Sequence, residues 1–543
     1  MKQIFLAILL AVGAIGAWAN PVSQSRAEEA AKMWIKARSG QQTTVKQVLT
    51  AKDRYYIVNL APAGWVIVST DDAVDPIIGY NLEGNLDVTD LPENMRAVID
   101  EIGDVNKFEA RRRTSVSAAW TNMAAEFSRA DDGRIDPLIK VNWTQDGNFS
   151  KYCPSNASGR ALVGCVAVAM GQAMTVQRWP NKGQGVFRYV PAGYTAQEVN
   201  WDNEKPYDWD AIINGTNSND EAARLLYHAG VSVSMGYGAN GSGIPSNEVS
   251  RISNALKKYF CYPSDVNYIW RDSYHGDWDR LIYNELAAGR AVVYNAISHT
   301  NTGAKDAGHS FNVDGFDGAG KYHLNWGWNG SGNGWFQLSR LNVSGYEYNY
   351  DQVAVIGIGS PERELRSIDL TETTIDEKLP AGTVVGEILV NGEAPKAAYN
   401  LKVQGSYDAA LKGFPEVPFA IKDGNLVTTA ELDATKPTIG IEISAQTAKG
   451  DRLTAEFTIN VVAYRKIEKA TSLAYDRNTG EFTLKTKHGV TYTLTRPDGT
   501  QIGSALLEPL PKFSFNKSQL GDGENTLTLT TSDGDTKVLK IKK

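Results

Sequence analysis

The spacing of apolar positions along the chain changes character several times. Behind Lys2, an unbroken apolar run extends from Ile4 to Ile15 and meets Ala17-Trp18-Ala19 before Asn20. A positive start, a short apolar stretch and small residues at an A-x-A site predict a signal peptide over residues 1–19. The run is too short to span a bilayer, and no later stretch reaches the roughly 18 apolar residues that spanning needs. From Ala27 to Ala37 the period is helical. Tyr55–Leu60 and Gly64–Ser69 then read as strands joined by an Ala-Pro-Ala turn, and Leu91–Phe127 returns to a helical pattern. These elements predict a small α+β unit over 20–130, closed by the polar segment Ser128–Gly133.

A second region, 135–360, is dense in Trp, Tyr and Gly. Its helical patterns come first (Cys165–Val176, Glu221–His228, Ser246–Tyr259, Trp278–Ala288) and its strand patterns last (Ala291–Ala296, His309–Phe316, Tyr322–Trp326, Gly334–Leu338, Val353–Ile358). Helices followed by antiparallel strands predict an α+β domain. Beyond Ser360 aromatics thin out, and short Thr/Val/Leu strands alternate with turns such as Asp498-Gly499 and Asp533-Gly534. That texture predicts two all-β, sandwich-like domains, 361–465 and 466–543.

Composition adds exclusions. With 543 residues and a net charge of −7, the chain has no basic footprint for nucleic acid. No zinc-ligand or phosphate-loop spacing occurs, so neither metal nor cofactor is expected. Gly236–Gly243 lacks the Lys and following helix that a phosphate cradle requires. Only Cys153, Cys165 and Cys261 are present, and an odd count in an exported protein leaves at least one free thiol. Cys153 could pair with Cys261, which would make Cys165 the odd one.

Cys165 follows Gly164 and opens a run of small and apolar residues long enough to be a buried helix. Free N–H groups and the helix dipole favour an anion there, and a thiolate is the form that attacks carbonyls. A cysteine in such a run is otherwise ordinary core. His309 opens the strand Ser310-Phe311-Asn312-Val313, and the Asp317-Gly318-Ala319-Gly320 reversal folds it back toward Asn325–Trp328. An imidazole so placed would take the thiol proton and return it to a leaving amine. Asn325 could accept from the imidazole and hold its tautomer, with Trp326 shielding the pair. Trp326, Trp328 and Trp335 suit a core as well as a substrate shelf. His323 reads as a strand-surface residue, and His228, His275 and His299 as structural.

Gly164-Cys165-Val166-Ala167, the phrase ending in Gln177-Arg178-Trp179-Pro180, Gly308-His309-Ser310-Phe311 with Asp314-Gly315, and Asn325-Trp326-Gly327-Trp328 together resemble the streptopain (interpain) family of cysteine peptidases. Ala63–Asp72 resembles the propeptide of the same enzymes, so the likeness covers roughly residues 20–360. It implies a papain-like fold, endopeptidase activity through an acyl-enzyme, and synthesis as an inactive zymogen. It assigns Cys165 as nucleophile and His309 as acid/base, with Asn325, Trp326 and Trp328 supporting. Papain-like enzymes also place a Gln shortly before the Cys for the oxyanion hole. Here that position is Gly159, which leaves Gln145 as the substitute beside the Cys165 N–H. The implied partners are protein or peptide substrates and the chain's own propeptide, cut free near Arg111–Arg113 or Arg129–Arg134. The last stretch, ending Lys540-Ile541-Lys542-Lys543, resembles bacterial C-terminal sorting domains as much as an accessory sandwich.

Two other readings use the same residues. An exported Cys/His amidase of cell-wall peptides shares the nucleophile but has less need of a folded inhibitor. An inert adhesin would be free to lose either Cys165 or His309.

Overall fold

The computed structural model describes residues 20–543, except 52, 128–132, 216–218, 299–306, 339–349, 362–363, 409–412, 448–451, 465–466, 468–470, 487–489, 508–511 and 532–533. The expected signal peptide, most of the Ser128–Gly133 segment and His299 lie outside the described residues. The chain divides into two units, one of residues up to Pro361 and one formed by Glu362–Lys543 with Ala287–Gly289.

The first unit is α+β. Its helix Cys165–Gln177 is buried along nearly its whole length, Val166 through Thr175, so it is apolar on every face rather than amphipathic. Asp220–Ser232 and Ser250–Tyr259 pack into the same core. The strands Val292–Ser298, Ala307–Phe316, Tyr322–Asn325 and Tyr350–Ile356 pair antiparallel beside them.

The segments 20–130 and 135–360, expected as separate domains, meet along a common sheet. One ten-stranded sheet runs through both. Four strands of the leading segment (Thr44–Ala51, Tyr55–Ala61, Trp65–Ser69, Ile77–Asn81) continue it through Gly334–Phe336, with Trp335 opposite Tyr80 and Phe336 opposite Gly79. Backbone pairing at a sheet edge demands no particular side chains, so the junction leaves little mark in the sequence. Thr44–Ala51 and Ile77–Asn81 were not expected as strands. The first has no fully buried residue and is polar at half its positions; the second is a short run interrupted by Gly79.

The seam is closely packed. A Cβ on Gly334 would lie 2.7 Å from the Tyr80 carbonyl oxygen and 2.8 Å from the Trp65 ring. Tyr80 stacks on Trp335, and Lys321 lies over the Trp34 ring. The Tyr80 hydroxyl donates to Asp317, while Asn81 donates to the Asn333 carbonyl at 2.7 Å.

In the second unit the described strands form two pairs of four- and three- or four-stranded sheets. Ile368–Val462 folds around Ile441, Ile443 and Ile459, and Thr471–Lys542 around Leu484, Leu527 and Leu529.

Candidate active site

Cys165 is the first residue of its helix, and Gly164 before it has φ +92°. That left-handed backbone suits glycine. A Cβ at Gly164 would also come within 2.8 Å of the Met235 side chain. Glycine therefore turns the chain sharply enough to present the sulfur at the helix start. Cys165 stands part-exposed on a cavity of about 290 Å³, which His309, Ser310, Asn295, Ile244 and Val249 also line. Sequence positions 144 residues apart (309 − 165) thus meet at one opening. Burial pushes the thiol above its ordinary value, and hydrogen bonds from Ser310 pull it back.

His309 sits on Ala307–Phe316, buried to 2% exposure. The Phe311, Trp326 and Trp328 rings lie roughly parallel to the imidazole at 6.0 to 6.3 Å. Its Nε2–H donates to the Trp326 backbone carbonyl at 2.9 Å, which favours the Nε2-protonated tautomer. Burial lowers its pKa to about 4, against the pull of that carbonyl, so the ring is neutral near pH 7.

The expectation for Asn325 is thereby corrected. Its Oδ1 accepts from Gln172 at 3.1 Å and from the Gly327 N–H at 3.2 Å, and its amide donates to Val141 at 3.1 Å. Asn325 pairs with Asn312 across the strands, so its side chain joins Asn312 and Gln172 beneath the Cys165 helix. The next residue's carbonyl, not this amide, reaches the imidazole. Trp326 is fully buried; its N–H donates to Asn333 Oδ1 and its indole N–H to Gly332. Trp328 is partly exposed. Gln145 is buried, and its backbone carbonyl accepts from the Val163 N–H at 2.9 Å, two residues before the cysteine.

Other expectations also change. Cys153 and Cys261 are both free thiols, so they do not bridge. Burial raises Cys153 to about 12, which keeps it an inert thiol. His323 is no surface residue: its Nδ1 lies 2.6 Å from the buried Asp314 carboxylate, and Asp314 also accepts from the Ile139 N–H. His228 is structural as expected, held by the Tyr207 hydroxyl at 2.8 Å. Sequence reasoning missed Gln172, Asn312 and Asn333. The only trace of them is polarity within otherwise apolar segments.

Residues 143–336 match the Peptidase C10 family, and residues 19–104 match the Spi protease inhibitor family. The chain is 30% identical over 408 residues to the thiol protease/hemagglutinin PrtT of Porphyromonas gingivalis, covering 68% of this chain and 45% of that protein. It is 28% identical over 338 residues to streptopain of Streptococcus pyogenes, covering 56% and 80% respectively. The chain thus spans less than half the length of the first of these relatives. A solved fragment of prointerpain A from Prevotella intermedia aligns with a TM-score of 0.49 at 24% identity, covering 59% of this chain and 99% of that one.

Proposed function

We propose, from the premise that this chain is a streptopain-like cysteine peptidase with its propeptide, that it is a bacterial endopeptidase exported as a self-processing zymogen. The observation that carries this is Cys165, at a helix N-terminus, sharing one cavity with the buried His309 of a distant strand. Cys165 is the nucleophile. Neutral His309 takes the thiol proton, and the thiolate attacks the scissile carbonyl. The Cys165 N–H and the Gln145 amide steady the oxyanion. The imidazolium, oriented by the Trp326 carbonyl, returns the proton to the leaving amine, and water then hydrolyses the acyl-enzyme.

The leading segment acts as an intramolecular inhibitor. Its sheet pairs with Gly334–Phe336, directly after the loop whose Trp326 carbonyl holds His309. Exposed Arg111, Arg112 and Arg113 give an accessible site for its removal. Protein or peptide substrates are the partners. No described helix is long and apolar enough to cross a membrane.

Casein digestion by the purified chain, with and without iodoacetamide, tests the reading. The untreated protein is expected to cut casein and release its own leader, and the alkylated protein and Cys165→Ala to do neither. Leader processing by the alanine variant, free of other proteases, would remove Cys165 from the chemistry.

A further inference from the structure

The run Gly308-His309-Ser310-Phe311 contains one side chain with no task so far. Successive strand residues face opposite sides. His309 and Phe311 turn to the Trp326 ring, whereas Ser310 and Asn312 turn toward the Cys165 helix, where Asn312 donates to Gln172 at 3.0 Å. Ser310 is 5% exposed, and its partner on the adjacent strand is Asn295. The Ser310 hydroxyl donates to Asn295 Oδ1 at 2.5 Å. Asn295 in turn directs its amide toward the Val353 carbonyl at 3.4 Å, which leaves its oxygen facing the serine. Both residues line the cavity with Cys165 and His309. Ser310 thus stands on the wall of the opening that holds the Cys165 sulfur, and its N–H and hydroxyl both act to lower the thiol's pKa against the burial that raises it.

We propose that Ser310 is a further catalytic residue, whose backbone N–H and hydroxyl donate to the Cys165 thiolate, with Asn295 as the positioning residue that holds the hydroxyl while the sulfur is protonated. The inference rests on Cys165 being the nucleophile. When His309 removes the proton, the S–H bond breaks, an N–H bond forms on the imidazole, and the electron pair stays on sulfur. The Ser310 hydroxyl then turns from Asn295 Oδ1 to the sulfur, breaking no covalent bond and requiring no co-reactant. Once the sulfur is acylated it bears no charge, and the hydroxyl returns to Asn295.

A merely structural Ser310–Asn295 pair would alter stability without altering the ionisation of Cys165. The test follows iodoacetamide alkylation of Cys165, located by peptide mass mapping, from pH 6 to 11 in the full-length chain and its matured product. Ser310→Ala is expected to raise the alkylation midpoint by about one pH unit, roughly a ten-fold slower reaction on the acid side. Ser310→Thr keeps the hydroxyl and is expected to keep the midpoint. Asn295→Ala, which removes the competing acceptor, is expected to leave it at or below that of the unmodified protein. An unchanged midpoint in Ser310→Ala overturns the proposal. If that variant does not fold, an upward shift in Asn295→Ala overturns it instead. Failure of the unmodified protein to be labelled at Cys165 would overturn the nucleophile assignment itself, a separable outcome.

Discussion

Tyr80→Phe should accelerate self-processing. The Tyr80 hydroxyl donates at 3.2 Å to Oδ2 of Asp317, a carboxylate with no exposure at the hairpin reversal beyond His309. Burial and that neighbouring charge push the phenol well above its ordinary pKa, so it remains a donor at every working pH. Phenylalanine keeps the ring stacked on Trp335 and removes only the hydroxyl. Asp317 retains the Ala319 and Lys321 N–H groups, at 2.8 and 2.9 Å, so the turn itself should persist. A hydrogen bond to a charged group is worth about 1.5–3 kcal/mol, and the length of this one argues for the lower end. When the leader is undocked, water serves both groups, so the loss falls on the docked state alone. About 1.5 kcal/mol corresponds to roughly a ten-fold larger undocked population. Where undocking is fast relative to cleavage, the first cut should accelerate by the same factor. The assay is the first-order appearance of cleaved chain on a gel, at several concentrations to isolate the intramolecular event. Processing within two-fold of the unmodified rate, or slower, would refute the claim that this contact restrains the leader.

Two further outcomes are expected. Gly164→Ala places a Cβ in left-handed backbone, 2.8 Å from Met235, and should cost about 1–3 kcal/mol and most of the activity; urea unfolding and casein turnover with near-normal values would contradict this. Glu101 in the leader is 9% exposed, with Oε1 buried and unpartnered; burial first, then Asp104, raise its pKa from 4.5 to about 7 against the pull of Arg54. A raised carboxyl stabilises the fold fully below pH 4.5 and loses that contribution as pH rises through 7, by at most about 3 kcal/mol. The Tm of the Cys165→Ala chain should therefore fall from pH 5 to 8 and flatten in Glu101→Gln, whereas equal slopes would show that Glu101 does not titrate there.

Much of the site is legible locally. Gly164-Cys165 before a run of small residues predicts a helix that starts at the sulfur, and the structure begins it at that residue. The Asp317–Gly320 reversal predicts a hairpin. The structure pairs Asn312 with Asn325, which brings His309 to 6.2 Å from the Trp326 ring and 6.3 Å from the Trp328 ring. The role of Asn325 was misread because an amide beside an indole suggests a side-chain acceptor. Strand alternation turned that amide toward Gln172 instead.

The amino-acid sequence by itself determined the short-range features: the helix start, the hairpin, cysteines too few to staple a fold, and the all-β texture after residue 360. Tertiary structure alone decided that a main-chain oxygen of Trp326 orients His309, that Ser310 and Cys165 line one cavity, and that leader and peptidase share a single sheet. The reason is that every residue carries a backbone carbonyl and N–H, so their long-range pairing is set by where strands meet and not by which side chains they bear.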